Sequence, residues 1–120
     1  MSEDLMMPMR TLPLNFGPLK GANGNARITG PCGDTMEFWV IIENKRIALA
    51  MYTTDGCEHS IICGAAAAAL ANGMPLSEIE KISQKDVLSI VENIPDESNH
   101  CALLAVTTLK AAVNNAIGSK

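Results

Sequence analysis

Two alternating runs joined by only two polar residues constrain this chain more than anything else in it. In DTMEFWVIIE (34–43), Met36, Phe38, Val40 and Ile42 share one parity and Glu37, Trp39, Ile41 and Glu43 the other. RIALAMYTT (46–54) sets Ile47, Leu49, Met51 and Thr53 against Ala48, Ala50, Tyr52 and Thr54. A period of two belongs to strands, whose successive side chains point to opposite faces. With Asn44-Lys45 as the link, the two runs read as an antiparallel β-hairpin. ARITG (26–30) is a candidate third strand, separated from the hairpin by the turn-forming PCGDT.

Beyond the hairpin the period changes to that of helices. EHSIICGAAAAALAN (58–72) is helix-forming and stops at Asn72-Gly73. Pro75 opens a short amphipathic segment, LSEIEKI. Ser83 caps a further helix, SQKDVLSIVENI, with Val87, Leu88, Ile90, Val91 and Ile94 at helical spacing. The last helix begins at Ser98 and carries Leu103, Val106, Leu109, Val113 and Ala116 or Ile117 as its apolar stripe. Strands first and helices after predict an α+β fold, a small antiparallel three-stranded sheet with helices packed on one face. A doubly wound α/β fold would need strands and helices to alternate. Pro8, Pro13, Pro18, Gly17, Gly21 and Gly24 mark residues 1–24 as a loop-rich arm, which leaves 25–120 as one domain.

Charge and hydropathy narrow the function. Nine basic residues against 13 acidic ones give a net charge of −4, with no basic run, which argues against nucleic acid or an anionic membrane as partner. No apolar stretch approaches the ~20 residues of a membrane-spanning helix. MSEDLMMPMR opens with acids rather than a basic region, unlike a secretory signal, so a cytoplasmic location is expected. Thiols stay reduced there, and four cysteines then suggest metal or sulfur chemistry before disulfides.

Three of those cysteines fall at the ends of elements. Cys32 lies in the turn before the hairpin, Cys57 in the turn after it, and Cys101 near the start of the last helix. With Ser98 as N-cap, Cys101 is the third helical residue, where unpaired amide N–H groups favour a thiolate. Thiolates are soft ligands preferred by zinc and by iron–sulfur clusters. Three sulfurs leave one of four positions open, and Asp34 and His100 are the candidates to fill it. Asp34 equally suits a turn cap, and His100 an exposed helix start. A structural zinc site normally uses short CxxC pairs, and this sequence has none. Three single cysteines on separate loops make a more open site. Cys63, six residues beyond Cys57, reads as a packing residue, and His59 as solvent-facing.

The segments GPCGDTMEF (30–38), TTDGCEHSIICG (53–64) and HCALLAVTTLKAA (100–112) resemble, in order and spacing, the NifU/IscU-type iron–sulfur cluster assembly scaffolds. The resemblance covers roughly residues 26–117 and implies a SufE/NifU-like fold. It implies that Cys32, Cys57 and Cys101 are the cluster cysteines, with Asp34 and His100 beside them. It further implies a scaffold or carrier rather than an enzyme with a small-molecule substrate. A cysteine desulfurase would supply sulfur, iron would be added, and a transient [2Fe–2S] cluster would pass to apo iron–sulfur recipient proteins. Zinc at the same site would instead suit a SufU-like sulfur acceptor or a zinc-stabilised interaction module. Many such scaffolds carry an LPPVK-like stretch that an Hsp70-type chaperone grips. Here the corresponding stretch is the acidic IPDES, which speaks against that partner.

Overall fold

Asn44 and Lys45 both adopt left-handed backbone, with φ of 55° and 63°. A two-residue turn of that kind twists in the same sense as the strands it joins, so it closes the hairpin without splaying it. The structure, a computed structural model, describes residues 16–30, 33–56, 58–91 and 99–118. Within them three antiparallel strands form one sheet in the order β1 (Gly24–Thr29), β2 (Thr35–Glu43) and β3 (Arg46–Thr54). The helices follow as α1 (Glu58–Ala71), α2 (Leu76–Ile79), α3 (Gln84–Ile90) and α4 (Asn99–Gly118). The α+β architecture expected from element order is the one observed. Strand β1 starts earlier than ARITG, and α2 stops at Ile79 instead of running through LSEIEKI. Helix α3 ends before Val91, whose backbone is extended. Ile94 and Ser98 lie outside the described residues.

Strand β2 keeps the alternation of its sequence. Met36, Phe38 and Val40 are buried, while Glu37, Trp39 and Ile41 are half-exposed on the other face. Strand β3 does not. Ile41 pairs with Leu49 but Ile42 pairs with Ile47, so Ala48 is an extra residue in a β-bulge. A bulge shifts the parity of everything beyond it. Ile47 therefore points inward together with Ala50 and Tyr52, and Leu49 and Met51 go to the outer face. Grouping Ile47 with Leu49 and Met51 is corrected by that one residue.

The helices cover the inner face. Helix α4 packs across β1 and β2, and α1 packs on β3 and α4. Alanines dominate both helices at the contact, with Ala66, Ala67, Ala68 and Ala71 on α1 and Ala102, Ala105 and Ala112 on α4. Small side chains let backbones approach closely, which a chain with 3% aromatics needs if its core is to be dense. The apolar stripe of α4 differs in one place. Val106, Leu109 and Val113 are buried, but Leu103 is 51% exposed, and the inward turn there is made by Cys101, Ala102 and Leu104. The stripe follows the 3.6-residue period from Cys101, because the N-terminus of α4 is turned toward the sheet end that carries Asp34.

At the far end of α1, Gly73 takes the left-handed conformation, with φ 82°, that a helix stop favours. Asn72 reaches back to the Ala68 carbonyl and accepts from the Ala50 amide, tying α1 to β3. Phe16 bridges Tyr52 on β3, with its ring edge-on to the tyrosine at 5.2 Å. No described helix is long and apolar enough to cross a membrane.

Candidate metal centre

The turn between β1 and β2 presents Asp34. Its carbonyl accepts from the Gly30 amide at 2.8 Å, and the Gly33 amide donates to the Gly30 carbonyl at 3.0 Å. The end of β3 is clamped to the same place. The Thr35 amide donates to Asp55 Oδ1 at 2.8 Å, and the Thr54 hydroxyl donates to the Thr35 carbonyl at 2.9 Å. Gly56, whose amide donates to the Thr54 hydroxyl, brings its backbone against Asp34 and Ser60. The two turns flanking the hairpin therefore meet, as an antiparallel pair requires.

The third contribution comes from α4. Gln84 Nε2 at the start of α3 donates to the Asn99 carbonyl at 2.8 Å and steadies the first turn of α4. His100 and Cys101 are the second and third residues of that helix. His100 Nε2 lies 3.8 Å from Cys101 Sγ. Asp34, His100 and Cys101 each offer a ligand atom, and these atoms lie within 4.8 Å of one another. No other group of His, Cys, Asp and Glu side chains among the described residues is placed to share an ion. An oxygen, a nitrogen and a sulfur at that separation make a mixed donor set, able to hold zinc or iron. The N-terminal end of α4, 20 residues long, carries partial positive charge beside the Asp34 carboxylate and suits an anionic ligand group.

Access is uneven. Cys101 is 1% exposed, while Asp34 and His100 are half-buried, so an incoming ion would meet the oxygen and nitrogen before the sulfur. Cys32 and Cys57 lie outside the described residues. Cys63 is fully buried on α1 beneath Tyr52, in keeping with a packing role, and His59 is half-buried at the start of the same helix.

One polar side chain at the centre was missed by reading the sequence. Ser60 has no exposed surface, donates its hydroxyl to Asp34 Oδ2 at 3.0 Å, and lies 3.5 Å from Cys101 Sγ. Its signal was positional. Ser60 shares the inward face of α1 with Cys63, Ala67 and Ala71, where a hydroxyl needs a partner. Helix α1 is held in register by Tyr52, whose hydroxyl donates to the Ile61 carbonyl at 2.6 Å.

The model of the NifU-like N-terminal domain matches residues 2–119. A protein of Archaeoglobus fulgidus named iron–sulfur cluster assembly scaffold protein IscU 1 is 29% identical over 102 residues, spanning 84% of this chain and 67% of that protein. Iron sulfur cluster assembly protein 1 of Trachipleistophora hominis is 33% identical over 107 residues, 86% of this chain and 77% of its own length. In fold, the crystal structure of a NifU-like N-terminal protein from Brucella abortus superposes with a TM-score of 0.72. It covers 96% of this chain and 93% of that one at 10% identity.

Proposed function

This chain belongs to the family of NifU-like N-terminal domains, and on that premise we propose that it is a scaffold on which iron–sulfur clusters are assembled and passed to recipient proteins. The observation that carries the reading is the convergence of Asp34, His100 and Cys101 within 4.8 Å at the meeting point of two turns and a helix N-terminus. The relative named an iron–sulfur cluster assembly scaffold protein and the one named an iron sulfur cluster assembly protein support it. Iron and sulfur are the cargo, and Cys32, Cys57 and Cys101 are its sulfur ligands.

Each residue has a defined task. A thiolate of the set attacks the outer sulfur of a persulfide carried by a cysteine desulfurase. A new sulfur–sulfur bond forms on this chain, and the desulfurase cysteine leaves as its thiolate. A two-electron donor, a thiol or a reduced electron carrier, then cleaves that bond, returning the thiolate and freeing the outer sulfur as sulfide. Thiolates hold iron and this sulfide as a [2Fe–2S] cluster. Asp34 supplies a hard oxygen ligand, which binds iron less firmly than a fourth thiolate would. His100, beside Cys101, is a spare nitrogen ligand. A mixed set with two half-buried members binds cargo and lets it go.

Anaerobic reconstitution with iron, a desulfurase plus cysteine, and a thiol reductant to free sulfide from the persulfide should give a sulfur-to-iron charge-transfer spectrum. Cys57→Ser and Cys101→Ser should each weaken it strongly. If both variants keep the wild-type spectrum, the ligand assignment fails. The same oxygen, nitrogen and sulfur donors also suit zinc, which favours a second reading as a zinc-dependent sulfur acceptor. Zinc-loaded protein that stimulates a desulfurase yet never binds iron would select that reading.

A further inference from the structure

Two described side chains are polar and buried, and they behave differently. Thr108 on α4 donates to the Leu104 carbonyl four residues back at 2.7 Å, the ordinary way for a hydroxyl to satisfy itself inside a helix. Ser60 does not turn back on its own helix. Its hydroxyl reaches 26 residues up the chain to Asp34 Oδ2 at 3.0 Å and stands 3.5 Å from a sulfur 41 residues down it. We propose that Ser60 is a positioning residue of the metal centre, its buried hydroxyl fixing the Asp34 carboxylate against Cys101 before any ion arrives. This inference rests on the metal-site reading given above.

The chemistry is that of one proton and two neighbours. A hydroxyl has a single hydrogen to donate and lone pairs with which to accept. Donated to Asp34 Oδ2, that hydrogen fixes the plane of the carboxylate and leaves Oδ1 the less encumbered oxygen for an ion. The lone pairs then face Cys101 Sγ. Hydrogen-bonding partners of this kind orient metal ligands and typically carry 10- to 100-fold in metal affinity.

Gly56 closes the arrangement. A Cβ at that position would lie 2.5 Å from Ser60 Oγ and 2.7 Å from Asp34 Oδ2, between the two groups that must touch. No side chain fits there while the hydrogen bond stands. The site therefore gives two independent ways to break one contact: removing the hydroxyl at residue 60, or wedging it away from residue 56.

The test uses Co2+ alone as probe, loaded anaerobically into the full chain and released to excess chelator. Ser60→Ala and Gly56→Ala should each release Co2+ roughly 10- to 100-fold faster than wild type. Both should alter the Co2+ ligand-field absorption while circular dichroism stays near wild type, and the gain in release rate should not track whatever each variant loses in urea midpoint. Wild-type release rates and spectra in both variants would overturn the inference. So would a Ser60→Ala protein that loses stability and Co2+ together while Gly56→Ala holds the ion normally. A wild-type protein that takes up no Co2+ would sink the metal-site reading itself, and this inference with it.

Discussion

The ring of Tyr52 on β3 lies against Gly64 on α1 so closely that a Cβ at that glycine would run into ring carbons Cε2 and Cδ2. Together with the bond from the Tyr52 hydroxyl to the Ile61 carbonyl, this contact sets the height of α1 over the sheet. It thereby sets where Ser60, one turn earlier on α1, meets Asp34 and Cys101.

Gly64→Ala is expected to destabilise the fold. The added methyl meets a ring that is itself stacked on Phe38 at 5.7 Å and edge-on to Phe16, so the ring has nowhere to go. Overpacking of this kind costs about 1–3 kcal/mol. Urea denaturation measures it directly, and an unchanged midpoint would show that α1 can lift away without loss.

Tyr52 also predicts a pH dependence. Burial, and secondarily the neighbouring Cys63, push its hydroxyl well above the ordinary value of 10.0. The unfolded chain thus gives up this proton at lower pH than the folded one. The contribution is whole below pH about 10 and is lost as pH rises above it, with a slope approaching 1.4 kcal/mol per pH unit. Tyr52→Phe should cost about 1 kcal/mol at neutral pH through the lost bond to Ile61. It should also remove that part of the alkaline slope. Midpoints measured from pH 7 upward on both proteins decide it, and parallel curves would refute the assignment.

Asp34→Ala should slow the release of cargo. Without its oxygen ligand an assembled cluster falls back on the thiolates and His100, softer donors that hold its iron more firmly. A lone ion such as Co2+, with no bridging sulfide to retain it, instead loses a donor and leaves sooner. Transfer of a reconstituted cluster to an apo-ferredoxin should become severalfold slower, while the charge-transfer spectrum persists. Faster transfer from the variant would mean that Asp34 retains the cluster instead of loosening it.

Removing metal should leave the fold standing. The core from Met36 to Val113 joins all three strands to the helices without help from an ion. Chelated protein should keep its far-ultraviolet circular dichroism, with the urea midpoint reduced only by the lost binding free energy. Collapse on chelation would instead identify a zinc-stabilised module, in which metal binding supplies the folding energy.

The alternation of Met36, Phe38 and Val40 and the two residues Asn44-Lys45 were enough to place the hairpin, because period and turn chemistry are local properties of the chain. The same holds for Gly73 as the end of α1 and for Cys101 as the third residue of α4. The inward turn of Ile47 was not legible, since a bulge at Ala48 depends on which residues β2 presents across the ladder. Nor was the exposure of Leu103, which depends on the face that α4 turns to the sheet. At the centre, residue types pointed to Asp34, His100 and Cys101 as candidates, but composition and spacing left a turn cap and an exposed helix start equally open for two of them. Their approach to within bonding reach of one ion was decided by tertiary structure: β-pairing brings the hairpin's two flanking turns together, and close packing of alanine-rich helices aims α4 at that edge. Ser60 was decided the same way, for a hydroxyl's partner is set by what folds against it and not by its neighbours in the chain.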